Sequence, residues 1–319
     1  MKEIQIKDDL YKEISQNLDS IIQKKLLANG YIFYGPEGVG KKQIALKFIN
    51  NIFNQYSFNS NIEERISTNN HPDFLLIEPT TLIKSKELKK LNSDLSKKNS
   101  GEIIRIEQIR SIKNFLSQKS IESEKKIVLI NNAHLLNESS SNCLLKTLEE
   151  PSNGIFILIT SKKNLLLDTI ISRCQLVRFK AFSRRDFEIL LRENLDNSMF
   201  EICKKLNVQD LINSANGSPS KFLNNLDIWS KLSSDFSEKI NYPFKNNLEI
   251  LKISKIISEQ LEIYQQIFLI NFIQIKWWRE TKNSNIIMKL ETLKSYIKNF
   301  IQPRFAWEVT LLQIAAEDF

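Results

Sequence analysis

A short apolar run, Tyr31-Ile-Phe-Tyr34, gives way to Gly35-Pro-Glu-Gly38-Val-Gly40-Lys41-Lys42, and then Ile44, Ala45, Phe48, Ile49, Ile52 and Phe53 recur at helical spacing. Strand, glycine loop and helix in that order constrain the fold more than any other feature of the chain. Backbone N–H groups of such a loop converge on one point, and the helix N-terminus adds positive potential, so a phosphate can sit there. Gly35, Gly40 and Lys41 match the P-loop spacing, with Lys41 suited to reach the β- and γ-phosphates. A plain turn is the competing reading; the strand before it and the helix after it weigh against that.

The rest of the first 180 residues alternates in the same way. Residues 11 to 28 carry Ile14, Leu18, Ile21, Ile22 and Leu26 at helical spacing and predict a helix ended by Asn29-Gly30. His71-Pro-Asp-Phe-Leu-Leu-Ile77 predicts a turn into a strand, and residues 84 to 101 an exposed loop or weak helix. Ile106, Ile109, Ile112, Phe115 and Leu116 outline a helix before the strand Lys126-Ile-Val-Leu-Ile130. A helix from about Ser140 to Glu150, capped by serine and stopped by Pro151, precedes the strand Ile155-Phe-Ile-Leu-Ile-Thr160. Another helix, Leu165 to Ser172, passes into Arg173-Cys174-Gln-Leu-Val-Arg-Phe179. Continuous apolar strands alternating with helices require a parallel sheet covered on both faces. The expected fold is therefore an α/β P-loop domain over residues 1–180.

Beyond Lys180 only helical periodicity remains, beginning with Ser183 as a cap for Phe187, Leu190, Leu191 and Leu195. Gly217-Ser-Pro-Ser220 punctuates it, and from about Pro243 long helices carry Trp277, Trp278 and Trp307. The expected organisation is a helical domain over 181–235 and an all-α domain over 236–319, the large aromatics serving either an independent core or a docking surface.

Further properties narrow the function. A net charge of +8 suits an acidic partner or nucleic acid, with a solvated lysine surface as the alternative. Cys143, Cys174 and Cys203 lie far apart without CxxC spacing, so a disulfide framework and a four-cysteine zinc site are excluded and buried reduced thiols expected. No secretory leader opens the chain, and polar residues interrupt its most apolar stretch, so no membrane partner and a cytoplasmic location are expected. His71 and His134 pair with no nucleophile at a recognisable spacing and are expected in loop or surface roles.

The P-loop itself is defective. The residue after Lys41 should be Ser or Thr, whose hydroxyl ligates Mg²⁺; it is Lys42, a donor of like charge. Two like unit charges at 4 Å cost roughly 4 kcal/mol at an effective dielectric of 20, so Lys42 must turn away or exclude the metal. The acidic pair expected after a buried strand, one carboxylate for the metal shell and one to polarise water, reads Asn131-Asn132. An amide takes no proton at neutral pH, and loss of a general base costs about 10²–10⁴ in rate. The degenerate nucleotide site thus comprises Gly35, Gly38, Gly40, Lys41 and Lys42 with Asn131 and Asn132. Its expected metal is none, and its expected cofactor is none, with ATP or ADP held without hydrolysis as the alternative.

Taken in order, Tyr34-Gly-Pro-Glu-Gly-Val-Gly-Lys41, His71-Pro-Asp73, Ile106-Glu-Gln-Ile-Arg110, Asn142-Cys-Leu-Leu-Lys-Thr-Leu-Glu-Glu-Pro151 and Thr169-Ile-Ile-Ser-Arg-Cys-Gln175 resemble the clamp-loader branch of the AAA+ ATPases. The likeness covers roughly residues 25 to 180 and is weaker in Gly217-Ser-Pro and Arg304-Phe-Ala-Trp-Glu308. It implies an AAA+ domain, a small helical lid and a C-terminal collar. It implies as partners ATPase subunits of the tau/gamma type, a delta-type subunit, a sliding clamp and primed DNA, within a DNA-directed DNA polymerase holoenzyme. In that family, Arg173 of Ser172-Arg173-Cys174 would act in trans as an arginine finger on a neighbour's nucleotide; an ordinary surface arginine is the alternative. The resemblance places exposed residues of the 140–150 helix near a subunit interface, with Glu149 and Glu150 as partners for basic groups. Two features depart from the family: residues 54 to 70 lack the four zinc-binding cysteines of many members, so no zinc is expected, and Gly217-Ser218-Pro219-Ser220-Lys221 lacks the lid arginine, leaving Lys221 a weak substitute. The leading expectation is a stator without ATPase activity. An active ATPase of the same loader and a stand-alone nucleic-acid-binding protein are the alternatives.

Overall fold

A computed structural model describes residues 11–56, 61–81, 102–149, 154–194, 208–232, 236, 240, 242–244, 246–299 and 301–316. It forms two compact units, one ending at Ala181 and one beginning at Phe182.

The first unit is built on five parallel strands. β1 (Gly30–Tyr34), β2 (Phe74–Ile77), β5 (Lys126–Ile130), β6 (Gly154–Thr160) and β7 (Gln175–Arg178) pair in the order β2-β5-β6-β1-β7, while β3 (Thr80–Thr81) and β4 (Glu102–Ile103) form a separate antiparallel pair. Every residue of β5 and β6 is buried, as continuous apolar runs in a doubly covered sheet require. Side chains of β1 alternate between the faces: Tyr31 and Phe33 meet Phe48 of α2 (Lys41–Tyr56), with ring centroids 5.3 and 6.3 Å apart. Ile32 instead joins Val128, Phe156 and Leu158 in a core closed by α4 (Ile106–Ser117) and α5 (Glu138–Glu149). Since all five strands run the same way, the loops after β1, β2, β5 and β6 open on one edge of the sheet, where α/β ligand sites lie.

Three boundaries differ from expectation. α1 (Lys12–Gln23) stops short of Ala28 because Lys25 adopts φ 56° and the Leu26 N–H closes on the Ile21 carbonyl, leaving Leu26 68% exposed. α5 begins two residues before Ser140, and its cap is Asn137, whose Oδ1 accepts the Ser140 N–H at 2.8 Å. The helix expected from Leu165 to Ser172 is a 3₁₀ turn at Lys163–Leu165 followed by the one-turn α6 (Asp168–Ile171), since Leu166 and Leu167 are extended and Leu166 is buried. The remaining short helix is α3 (Ile62–Ser67). The segment 84 to 101, Glu150, Pro151, Leu195 and Cys203 lie outside the described residues.

His71 is not on the surface. Its ring stacks on Phe53 with centroids 4.2 Å apart, and burial holds its pKa below the ordinary histidine value. Asp73, wholly buried, accepts the N–H groups of Ile121, Glu122 and Ser123 at 2.9, 2.7 and 2.9 Å. The His-Pro-Asp segment therefore fixes the turn that feeds β5.

In the second unit, Ser183 caps α7 (Arg184–Asn194) by exchanging hydrogen bonds with Asp186. The chain continues as α8 (Val208–Ala215), α9 (Pro219–Lys231), α10 (Asn247–Gln260), α11 (Ile263–Thr281), α12 (Ser284–Lys298) and α13 (Pro303–Ala315). Ser218 accepts the Lys221 N–H and caps α9, so Lys221 lies in that helix's first turn. Trp277 and Trp307 are fully buried; the Trp307 N–H donates to Gln266 Oε1 at 2.9 Å, whereas Trp278 is 45% exposed. Trp229 of α9 meets Phe272 of α11 edge-on, and Arg279 of α11 pairs with the buried Asp210 of α8 at 2.6 Å.

Candidate functional site

The glycine loop closes directly on β1. Gly35, Gly38 and Gly40 have φ of 150°, 73° and 88°, a backbone that favours glycine at each step. A Cβ on Gly35 would come within 2.2 Å of the Phe179 carbonyl oxygen. The loop is also anchored from α1's side, because the Tyr11 hydroxyl donates to the Val39 carbonyl at 2.7 Å while its ring packs edge-on against Phe179. Lys41 is buried, and its ammonium donates to the carbonyls of Gly35, at 2.8 Å, and of Pro36. Burial lowers its pKa to about 8, against a smaller opposing pull from Glu37.

Lys42 turns away from the loop. Its Nζ lies 2.7 Å from Glu78 Oε1, and the same oxygen accepts a 3.4 Å bond from Asn131 Nδ2. Glu78 follows β2 and Asn131 follows β5, strands that pair, so the sheet brings both to the open edge beside the first turn of α2. The Lys42 ammonium, burial and the Asn131 amide together set Glu78; the ammonium dominates and holds its pKa below the usual carboxylate value. Gln108 fixes this arrangement from behind: its Oε1 accepts the Arg105 N–H at the start of α4, and its Nε2 donates to the Glu78 carbonyl. Asn132 adopts φ 52° and turns the chain into His134, whose Nδ1 lies 3.4 Å from the buried Thr160 hydroxyl. Burial, with Lys162 nearby, lowers the His134 pKa, so the ring is neutral at neutral pH.

These residues do not fit magnesium. Its hydroxyl ligand is replaced by an ammonium and its carboxylate by an amide, and the carboxylate that contacts both, Glu78, is engaged by that ammonium. Nor does any group at Asn131 or Asn132 take a proton from water.

Arg173 lies elsewhere. β7 pairs with β1 from Tyr31 opposite Gln175 to Tyr34 opposite Arg178, which sets Arg173 before the start of β7 and the glycine loop after the end of β1. The two are on opposite edges of one sheet, about six residues or roughly 20 Å apart along the strands. Arg173 is partly exposed; its Nη1 donates to the Thr169 carbonyl at 2.9 Å and its Nη2 to Glu149 at 2.6 Å. The adjacent Cys174 packs where Gly30 has no side chain, and burial pushes its thiol up to about 11, so it is no nucleophile.

The structure thus gathers Gly35, Gly38, Gly40, Lys41, Lys42, Asn131 and Asn132 at one edge and leaves Arg173 at the other. Sequence reasoning missed Glu78. Its only sequence signal is its place one residue beyond a strand that ends level with β5, and that pairing is a tertiary fact.

A family model described as DNA polymerase III, delta subunit, matches residues 10–183, and one described as cyanobacterial DNA polymerase III delta prime, C-terminal domain, matches residues 190–314. DNA polymerase III subunit delta prime of Bacillus subtilis (strain 168) is 31% identical over 192 residues, 58% of this chain and 52% of that protein. Its counterpart in Pseudomonas aeruginosa is 29% identical over 154 residues, 46% of this chain and 42% of that one. The chain spans about half the length of the relatives it matches. A crystal structure of a DNA polymerase III gamma subunit-related protein from Thermotoga maritima covers 95% of this chain and 97% of its own, at 19% identity and a TM-score of 0.48.

Proposed function

The chain belongs to the DNA polymerase III delta-subunit family, delta-prime type, and on that basis we propose that it is a clamp-loader stator that does not hydrolyse ATP but completes a neighbouring subunit's ATP site with Arg173. One observation carries this reading: the glycine loop and Arg173 occupy opposite edges of a single parallel sheet. An arginine so placed cannot serve its own loop, and its partly exposed guanidinium is available to another chain. In analogous phosphoryl transfers an arginine supplied in trans is worth about 10³–10⁵ in rate, because its fixed charge meets charge developing on the transferred group. At the other edge the site has lost its metal ligands and its base. There Lys41 and the loop's N–H groups keep the means to hold ATP or ADP, and nothing remains to activate water. The partners in this reading are tau/gamma-type ATPases, a delta-type subunit and, through the assembly, the sliding clamp and primed DNA in the cytoplasm.

The test is ATP turnover by the assembled loader, stimulated by clamp and primed DNA, with wild-type or Arg173→Ala chain. Turnover at the interface that Arg173 enters is expected to fall by about 10³ or more. Unchanged turnover sinks the proposal. The preserved loop geometry favours a second reading, an active P-loop ATPase of the same loader. Metal-dependent turnover by the isolated chain that Lys41→Ala abolishes would establish it in place of the stator.

A further inference from the structure

We infer that Glu149 is a positioning residue for Arg173, its carboxylate fixing the guanidinium in one partly exposed pose before a neighbouring subunit arrives. The inference rests on Arg173 acting in trans, as proposed above, and adds the residue that prepares it. The two terminal nitrogens of Arg173 are held separately: Nη2 donates to Glu149 Oε1 at 2.6 Å and Nη1 to the Thr169 carbonyl at 2.9 Å. One acceptor would leave the planar group free to pivot about it, whereas two acceptors on different elements set its plane. These contacts use two of the five N–H donors of a guanidinium, so donors remain for a phosphate. The side chains of Arg173 and Glu149 are 38% and 49% exposed, which leaves the pair open to another chain.

Both acceptors stand on the same core. Glu149 ends α5, next to the buried Leu148, and Thr169 lies in α6 beside the buried Ile170; Leu148 and Ile170 pack in one cluster. The backbone at Arg173 is set by its neighbour, since Cys174 packs so closely on Gly30 that a Cβ there would come within 2.7 Å of its Sγ. An exposed ion pair does little for the fold, so a short contact from a core-anchored helix serves to place the arginine. An unheld arginine loses rotamer freedom when it meets a phosphate, which weakens the contact; holding the group beforehand removes that loss.

The experiment measures clamp- and DNA-stimulated ATP turnover of the assembled loader with wild-type, Glu149→Ala, Glu149→Gln and Arg173→Ala chains. Glu149→Ala should lower kcat at the interface that Arg173 enters by about tenfold and leave KM for ATP unchanged, because the lost contact orients charge for the transition state. Glu149→Gln keeps an acceptor oxygen in place and should stay within about threefold of wild type. Circular dichroism and loader assembly, followed by size-exclusion chromatography, should match wild type for both. A wild-type or raised kcat for Glu149→Ala, a change confined to KM, a Glu149→Gln chain as poor as Glu149→Ala, or failure of Glu149→Ala to fold or assemble overturns the inference. The two readings fail separately: if Arg173→Ala collapses turnover and Glu149→Ala does not, only the role of Glu149 falls, whereas unchanged turnover with Arg173→Ala removes both.

Discussion

The two ends of β2 each carry a carboxylate, and the pair has opposite fates. Asp73, just before the strand, is wholly buried and satisfied by three backbone N–H groups and the Ser123 hydroxyl. Glu78, just after it, is about half exposed and holds two side chains, Lys42 and Asn131. Backbone donors cannot be substituted away, so Asp73 is tied to the fold itself and its role is to fix the turn before β5. Side-chain donors can be exchanged one residue at a time, so Glu78 belongs to the part of the molecule where chemistry is adjustable. Asp73 is scaffold; Glu78 is site.

The sharpest way to break this contrast is Asp73→Ala. It leaves the three backbone N–H groups of Ile121, Glu122 and Ser123 without their acceptor and should cost about 3 kcal/mol in chemical denaturation. A loss as small as that of an exposed ion pair would mean the turn finds other partners. Glu78→Gln should cost less than about 1 kcal/mol, since its pair with Lys42 is solvent-screened.

Acid separates that variant from wild type. The folded Glu78 pKa is depressed, so its contribution is complete at neutral pH and is lost as pH falls below the ordinary glutamate value of about 4.3 through the folded one. Stability of wild type and Glu78→Gln should therefore converge over that acid range. A constant gap down to low pH would show that the pair with Lys42 is not what holds Glu78 ionised. Smallest of all is the exposed pair Arg173–Glu149: Arg173→Ala in the isolated chain should change stability by no more than about 0.5 kcal/mol. That near-silence is informative, because a large effect on loader turnover then comes from the residue's reach and not from unfolding. A costly Arg173→Ala would place Arg173 with Asp73 on the scaffold side.

Much of the first unit was legible because its signals are local. The runs Lys126–Ile130 and Ile155–Thr160 are apolar without alternation, which only a doubly covered strand needs. Gly35, Gly38 and Gly40 announce the positive φ values they adopt. Capping was less readable, since Asn137 and not a serine starts α5, and the backbone at Lys25 stops α1 where the apolar spacing continues. His71 lies in the expected loop, but its burial was unreadable for a different reason: a lone histidine in a polar stretch gives no sign of the Phe53 ring it stacks on, eighteen residues earlier in the chain.

The sequence by itself determined the sheet class, the P-loop and its missing ligands, because each depends on residue type at fixed spacing along one strand–loop–helix segment. Tertiary structure alone decided what Lys42 does instead and where Arg173 faces. The first depends on Glu78, brought from 36 residues away by the pairing of β2 with β5. The second depends on the parallel register of β7 against β1, which sends the strand's beginning and the loop after its neighbour to opposite edges of the sheet. Neither pairing has a periodicity of its own in the chain, since a strand's neighbours are chosen by the burial of the whole sheet and not by the strand.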